Sequence, residues 1–169
     1  MVSPARLKAL DRSLLRAART RGHTPALDRA VLGYSRLGEH AACWLAVGLI
    51  GAATAGDAER SRGWLRGVGV VAAAVGINYA VKVTVRRRRP VLPGLPALSP
   101  VVSSLSFPSA HATTSFAAAR ASRGLAPAGA LYAAAGAFAL SRPYLGVHYP
   151  SDVAAGAVFG TALAAAWPR

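Results

Sequence analysis

Acidic residues, lysine and cysteine are all scarce in this chain of 169 residues. The single cysteine, Cys43, cannot form an intrachain disulfide, which excludes a disulfide-based scaffold. Six Asp and Glu stand against 20 Lys and Arg, of which only two are lysine, and the formal net charge is +14. Charged residues make up 15% of the chain and apolar residues 53%, with a mean hydropathy of +0.35. This balance is unusual for a soluble domain and favours a membrane surface or a phosphorylated substrate as partner.

Long runs of leucine, isoleucine and phenylalanine are also lacking, because alanine and glycine dominate the apolar residues. The first 21 residues contain no apolar core of the length that a cleavable signal peptide requires, so we expect none. No recognised DNA- or RNA-binding motif is present, and we expect no nucleic-acid partner. The excess of arginine and alanine is typical of a bacterial proteome with high GC content.

The hydrophobic pattern predicts an all-α fold, an integral-membrane bundle of about five transmembrane helices. Spans are predicted at residues 38–56, 64–82, 109–122, 125–141 and 151–167, against the ~20 residues that cross a bilayer. The third is too short to cross alone, so we expect it to be buried among its neighbours. The Pro-rich connection at residues 83–107 is predicted to be a loop on the bilayer surface or over a site.

The N-terminal region has a different pattern, with leucines at helical spacing and arginine and lysine between them. Residues 4–21 are therefore predicted to form a basic amphipathic helix in the membrane interface, or an ordinary helix packed on the protein. We accordingly divide the chain into a basic N-terminal segment, residues 1–36, and a transmembrane domain, residues 37–169.

Three polar clusters interrupt the apolar pattern, and polar residues at membrane depth mark function by default. Counting the predicted crossings puts all three at the same membrane face. The clusters are Lys82 with Arg89-Pro90, spaced K-x6-RP; Pro108-Ser109-Ala110-His111; and Ser141-Arg142, His148 and Asp152, spaced SR-x5-H-x3-D.

These residue types together suit the transfer of a phosphoryl group. Three cations, Lys82, Arg89 and Arg142, can surround phosphate oxygens, and a helix start at Ser109 adds a hydroxyl and free N–H groups. Of the two histidines, one can attack phosphorus while the other protonates the leaving oxygen, and Asp152 can orient a ring. No carboxylate cluster is present to hold Mg²⁺ or Zn²⁺, so we expect neither a metal nor another cofactor.

In order and spacing, the three motifs resemble those of the type 2 phosphatidic acid phosphatase (PAP2) superfamily, which includes vanadium haloperoxidases and bacterial acid phosphatases. The resemblance runs from Lys82 to Asp152. It implies that His148 is the nucleophile, Asp152 its partner and His111 the general acid. It also implies a set of phosphate-binding residues: Lys82, Arg89, Ser109, Ala110 and Arg142.

The sequence departs from the family pattern at Ala110, where glycine is usual. Alanine still offers its backbone N–H, but it resists positive φ, so either the turn needs no left-handed residue or the phosphate site is slightly altered. The run Arg86-Arg87-Arg88 that precedes Arg89 is interpreted as a lipid-headgroup or topology signal.

The substrate expected from this resemblance is a phosphorylated lipid that enters from the bilayer. Small members of the family rich in alanine and arginine are similar to an actinobacterial enzyme that dephosphorylates decaprenylphosphoryl-5-phosphoribose, a step in cell-wall arabinan precursor synthesis. Undecaprenyl pyrophosphate, phosphatidylglycerophosphate and phosphatidic acid are the alternatives. Competing classes are a phosphotransferase, a vanadate-dependent oxidase and a non-enzymatic protein that binds anionic lipid.

The distribution of basic residues predicts the orientation. Fourteen of the 20 fall on the face of the candidate site and six on the other, and the ratio is 11 to six without Lys82, Arg89 and Arg142. The positive-inside rule then places the site at the cytoplasmic face of a bacterial plasma membrane. The oligomeric state is left open.

Overall fold

The fold, given by a computed structural model that describes residues 3–168, is built of seven helices. A 3₁₀ turn, Glu39–Ala41, connects the second helix to the third, and residues 3–168 contain no β-strand beyond two isolated bridges. The prediction of an all-α fold is thus confirmed. The helices are α1 Pro4–Thr20, α2 Pro25–Leu37, α3 Ala42–Ala53, α4 Ala58–Val85, α5 Ala110–Ala121, α6 Ala128–Tyr144 and α7 Pro150–Ala166.

Local sequence signals explain where several helices begin. Ser3, Thr24 and Asp57 precede α1, α2 and α4, and each side chain accepts a hydrogen bond from a backbone N–H in the first turn. Such caps satisfy donors that have no partner inside the helix. In α1, α2 and α7 a proline stands in the first turn, where its missing N–H costs nothing.

The N-terminal segment forms two helices rather than the single predicted one. After α2, His40 and Ala41 take positive φ angles of 54° and 60°, which stops the helix and turns the chain into α3. The predicted span at residues 38–56 is therefore helical only over Glu39–Ala53, its first turn being 3₁₀. The division of the chain at residue 36 stays a prediction.

The packing of α5 against α7 is the closest in the bundle. A Cβ atom added at Gly160 would overlap the carbonyl oxygen of Thr113, and one at Gly156 would lie 2.7 Å from that of Ser109. Glycine therefore lets the two backbones approach closely. Most of α5 is buried, as its short length predicts. The contact also brings the start of α5 to the start of α7, where the N–H of Ser109 donates to the carbonyl of Asp152 at 3.0 Å.

We expect Gly160→Ala to destabilise the protein by about 1–3 kcal/mol, because the added methyl group must push two backbones apart. Gly136→Ala is the matched control: it lies inside α6 with no atom within 4 Å of the added Cβ, and alanine is the better helix former. Thermal unfolding in detergent measures both. Equal melting temperatures for the two variants would contradict the close contact between α5 and α7.

Within residues 3–168 one helix, α4, is long and apolar enough to cross a membrane by length and composition, and Glu39–Ala53 is a shorter apolar helix. The other predicted spans are also shorter than α4, with 12 residues in α5 and 17 each in α6 and α7. Large apolar side chains nevertheless lie exposed on the flanks of the bundle, among them Ile50, Leu140 and Val158. Such a surface is typical of a protein that contacts lipid.

The N-terminal helix α1 packs on the bundle by one face only. Leu15 is fully buried and the buried guanidinium of Arg19 donates to the carbonyls of Pro96 and Tyr144. On the outer face a leucine stripe, Leu7, Leu10 and Leu14, is about half exposed. The helix is therefore docked on the protein and still presents leucines outward.

Candidate active site

All the residues of the three motifs lie at one end of the bundle. They come from the last turn of α4, the connection that follows it, the start of α5, the end of α6 and the start of α7 with the residues before it. In chain order these are Lys82, Arg89, Ser109, Ala110, His111, Arg142, His148 and Asp152. Hydrogen bonds and close contacts link these residues and their neighbours into one site.

The ring of His148 is held between an arginine and an aspartate. Its Nε2 lies 3.1 Å from NH1 of Arg89, and its Nδ1 lies 3.6 Å from Oδ2 of Asp152. A guanidinium can only donate, so Nε2 must be the acceptor and Nδ1 carries the hydrogen. Burial lowers the pKa of His148 to about 3; the charges of Arg89 and Arg142 add to this shift, and Asp152 opposes it. The imidazole is therefore neutral at neutral pH, and its lone pair is on Nε2, where it accepts from Arg89.

Arg89 is fixed by backbone as well as by the histidine. Its Nε donates to the carbonyl of Ser103 and its NH1 to the carbonyl of Val147, both at 2.7 Å. The first bond links Arg89 to the later part of the Pro-rich connection, and the second links it to the residue before His148. The connection is thus a loop, as predicted, and Arg89 joins it to the candidate nucleophile.

Ser109 stands at the position before α5, where a serine hydroxyl usually caps the helix. Here the hydroxyl makes no cap bond; it is fully buried and has no hydrogen-bond partner among the residues that the structure describes. The next residue, Ala110, begins the helix and is not among the residues with positive φ. This turn therefore needs no left-handed residue, and alanine fits it without backbone strain.

Lys82 is buried at the end of α4 and reaches toward the same helix start. Its Nζ donates to the carbonyls of Leu105 and Pro108, at 3.3 and 3.2 Å. One turn earlier, the buried side chain of Asn78 donates to Thr113 Oγ1 at 2.9 Å. These bonds hold α4 against the segment that presents Ser109.

His111 and Arg142 meet at a residue of the N-terminal region, Ser35 of α2. The Nε2 of His111 lies 3.0 Å from the carbonyl oxygen of Ser35, and Arg142 NH1 donates to the hydroxyl of the same residue. A carbonyl only accepts, so Nε2 of His111 carries a hydrogen. The site is therefore closed on this side by α2.

Three buried polar atoms of the motifs have no hydrogen-bond partner within the described part of the chain: Ser109 Oγ, Arg142 Nε and His148 Nδ1. Buried donors and acceptors without partners cost free energy, so they suggest a polar ligand at this place. A phosphoryl group offers oxygens to the first two. Within residues 3–168, no group of three His, Cys, Asp or Glu side chains comes together as a set of metal ligands.

Sequence reasoning missed three residues at this end of the molecule. Ser35 lies in α2, a helix that the sequence pattern did not distinguish within the N-terminal segment. Asp11 lies on α1. Arg87, interpreted with its neighbours as a lipid or topology signal, donates to Asp152 at 2.7 Å. Nothing in a run of four arginines distinguishes Arg87 from Arg86 and Arg88, whose side chains are exposed.

Comparison with known proteins identifies the fold and the family. The PAP2 superfamily matches residues 63–169, which contain all three motifs. This chain belongs to the PAP2 superfamily. The predicted family is thus confirmed, and with it the predicted activity class, a phosphatase.

Characterised relatives cover most of the chain. Decaprenylphosphoryl-5-phosphoribose phosphatase of Mycobacterium tuberculosis is 38% identical over 141 residues, 83% of this chain and 78% of that protein. The protein of the same name from Mycolicibacterium smegmatis is 45% identical over 135 residues, 78% of this chain and 72% of that one.

Two crystal structures have a similar fold. Aquifex aeolicus LpxE superposes with a TM-score of 0.78 at 23% identity, covering 92% of this chain and 93% of that one. A transmembrane PAP2-type phosphatidylglycerolphosphate phosphatase from Bacillus subtilis superposes with a TM-score of 0.72 at 25% identity, covering 96% and 84%. The bundle described above is therefore the architecture of membrane PAP2 proteins.

Proposed function

We propose that this protein removes the terminal phosphate of decaprenylphosphoryl-5-phosphoribose through a phosphohistidine formed on Nε2 of His148. The observation that carries the mechanism is the orientation of this ring, with Nε2 toward Arg89 and a hydrogen on Nδ1 facing Asp152. A neutral imidazole with its lone pair beside a cation is prepared to attack a phosphate bound by that cation.

In the first step, the Nε2 lone pair of His148 forms a bond to phosphorus and the bond from phosphorus to the substrate alcohol oxygen breaks. His111 acts here in its imidazolium form: its Nε2 proton, which the Ser35 carbonyl accepts in the structure, passes to that leaving oxygen and leaves a neutral ring. The positive charge on His148 is stabilised by Asp152. In the second step water attacks phosphorus, His111 accepts its proton, and the P–N bond breaks to release phosphate.

A cationic cradle formed by Lys82, Arg89 and Arg142 would neutralise the charge on the equatorial oxygens in both steps. All three side chains are at least partly buried, where a fixed charge acts more strongly than in water. Ser109 adds its unpartnered hydroxyl at the start of α5, whose free N–H groups favour an anion. This is the oxygen-binding part of the proposed site.

A lipid substrate is supported by an apolar groove beside the site. The groove lies between α4 and α7, encloses about 470 Å³, and is lined by Val81, Phe107, Pro108 and Val158, among others. Pro108 also precedes Ser109, so a chain lying in the groove would bring its head group to the cradle. The mycobacterial relatives are named for a phosphatase acting on a decaprenyl lipid, which makes that lipid our first choice.

The membrane arrangement that fits this function has five spans, formed by α3 to α7, with α1 in the interface. The leucine stripe of α1 would enter the headgroup region while its arginines and lysine meet anionic lipid. The excess of basic residues at the site end favours its location at the cytoplasmic face of a bacterial plasma membrane.

Phosphate release from a panel of lipids tests the proposal. Purified protein in EDTA would be given decaprenylphosphoryl-5-phosphoribose, undecaprenyl pyrophosphate, phosphatidylglycerophosphate and phosphatidic acid. We expect the highest kcat/KM with the first. Preference for another lipid of the panel would change the assigned substrate but not the proposed reaction. No phosphate release from any of the four lipids would refute the phosphatase activity.

Val158→Trp should raise KM for the decaprenyl lipid about 10-fold, because the ring fills the groove where the chain would lie. Turnover of a short-chain, water-soluble phosphate should change less than about twofold. Ala165→Trp, an exposed position near the other end of α7, is the matched control. Equal effects of Val158→Trp on the long and short substrates would argue against the groove as the lipid site.

A further inference from the structure

Arg87 differs from the two arginines beside it in both burial and contacts. Its side chain is 28% exposed, and the central carbon of its guanidinium lies over the ring of Tyr149, 4.1 Å from the centroid. NH1 donates to Asp152 Oδ1 and NH2 donates to Asp11 Oδ2, each at 2.7 Å. One guanidinium thus joins the first turn of α7 to α1.

Asp152 is held at both of its oxygens. Oδ1 accepts from Arg87, and Oδ2 accepts from the backbone N–H of Tyr149 at 2.9 Å. The second oxygen is the one that faces Nδ1 of His148. Since the carboxylate is completely buried, its orientation is set by these two donors, and Arg87 supplies the only charged one.

Asp11 completes the network from the other side. Its Oδ1 accepts from the backbone N–H of Ser151 at 2.9 Å, and its Oδ2 accepts from the hydroxyl of Ser151 as well as from Arg87. Burial raises the pKa of Asp11, but the hydrogen bonds from Arg87 and Ser151 outweigh it and lower the pKa below its usual value. The carboxylate is therefore charged at neutral pH. It is one of only six acidic residues in the chain.

We propose that Arg87 is a positioning residue that orients the Asp152 carboxylate toward His148. Asp11 couples the docking of α1 to this orientation. The inference depends on the phosphatase function proposed above. It gives α1 a part in catalysis: when the helix leaves the bundle, Arg87 loses one of its two carboxylates and the hold on Asp152 weakens. Arg87 itself touches neither the substrate nor the reacting nitrogen.

Steady-state kinetics test the positioning role with matched variants. We expect Arg87→Ala to lower kcat about 30-fold with KM changed less than about twofold, since the phosphate cradle is intact. Arg87→Lys should recover part of the loss, and Asp11→Asn should lower kcat by a smaller factor. Arg88→Ala removes an exposed neighbour of equal charge and should leave both constants unchanged. Loss confined to KM, or equal loss in Arg88→Ala, would overturn the proposal.

A double-mutant comparison separates positioning from general damage to the fold. If Arg87 acts through Asp152, then Arg87→Ala should cost less than about threefold when added to Asp152→Asn. A full 30-fold cost in that background would show that Arg87 acts by another route.

Hydrogen exchange gives a readout that needs no turnover. By reciprocity, Asp152→Ala should speed amide exchange over Pro4–Thr20, because Arg87 then lacks the carboxylate on α7 that anchors it and holds Asp11 of α1 less firmly. Unchanged exchange in α1 would refute the coupling even if the lipid panel showed no activity. Conversely, an inactive wild-type protein whose α1 loosens in Asp152→Ala would refute the proposed function and leave the coupling standing.

Discussion

His148→Ala is expected to reduce lipid phosphate release by a factor of about 10⁴ or more. The variant loses the nitrogen that forms the covalent intermediate, and no other side chain can replace it from that position. His148 lies 3.1 Å from Arg89, while the second histidine of the site, His111, is hydrogen bonded to Ser35. The measurement is initial-rate phosphate release from the preferred lipid, in EDTA.

A matched control for this variant is His40→Asn. His40 is exposed, lies outside the three motifs and takes a positive φ of 54°, a conformation that asparagine accepts better than alanine. We expect its rate to stay within about twofold of wild type. Activity that survives in His148→Ala would refute the phosphohistidine and favour a binding or direct-hydrolysis role for the site.

Arg89→Ala is the second change with a large expected effect, a loss of about 10³-fold in kcat/KM. The arginine is proposed to do two things: to bind phosphate oxygens, and to hold His148 in the neutral tautomer whose lone pair is on Nε2. It also ties the Pro-rich connection to the candidate nucleophile through Ser103 and Val147. Arg89→Lys keeps the charge but not the fork of donors, so we expect only partial recovery.

Arg88→Ala is again the neighbouring control, and melting temperatures of all variants show whether a loss reflects the fold. If Arg89→Ala retained more than a tenth of wild-type kcat/KM while remaining folded, the binding of the phosphate oxygens would have to be assigned to other cations. Loss of activity with a wild-type melting temperature is the result that the account requires.

The sequence was most informative where spacing and chemistry coincide. The positions of Lys82, Arg89, Ser109, His148 and Asp152 in three spaced motifs predicted that they would meet at one end of a helical bundle, and the structure brings them together. Four prolines between residues 90 and 100 predicted the absence of a helix in the connection, as observed. Both predictions depend on short-range patterns that a single sequence contains.

Contacts between distant parts of the chain could not be predicted in this way. Ser35 meets Arg142 across 107 positions, and Asp11 meets Arg87 across 76. Alternating basic and apolar residues on α1 indicate a helix face but not the partner of its one acidic residue. The boundary between α2 and α3 was also missed, because two non-glycine residues with positive φ, His40 and Ala41, form it.

The most direct test of the central claim is the isolation of the covalent intermediate. Protein would be mixed with the preferred lipid carrying a ³²P-labelled terminal phosphate, quenched in alkali within the first turnovers, digested and analysed by mass spectrometry. We expect a phosphorylated histidine in the peptide that contains His148, with phosphorus on Nε2. Label on His111, or rapid turnover with no labelled protein at any quench time, would contradict it.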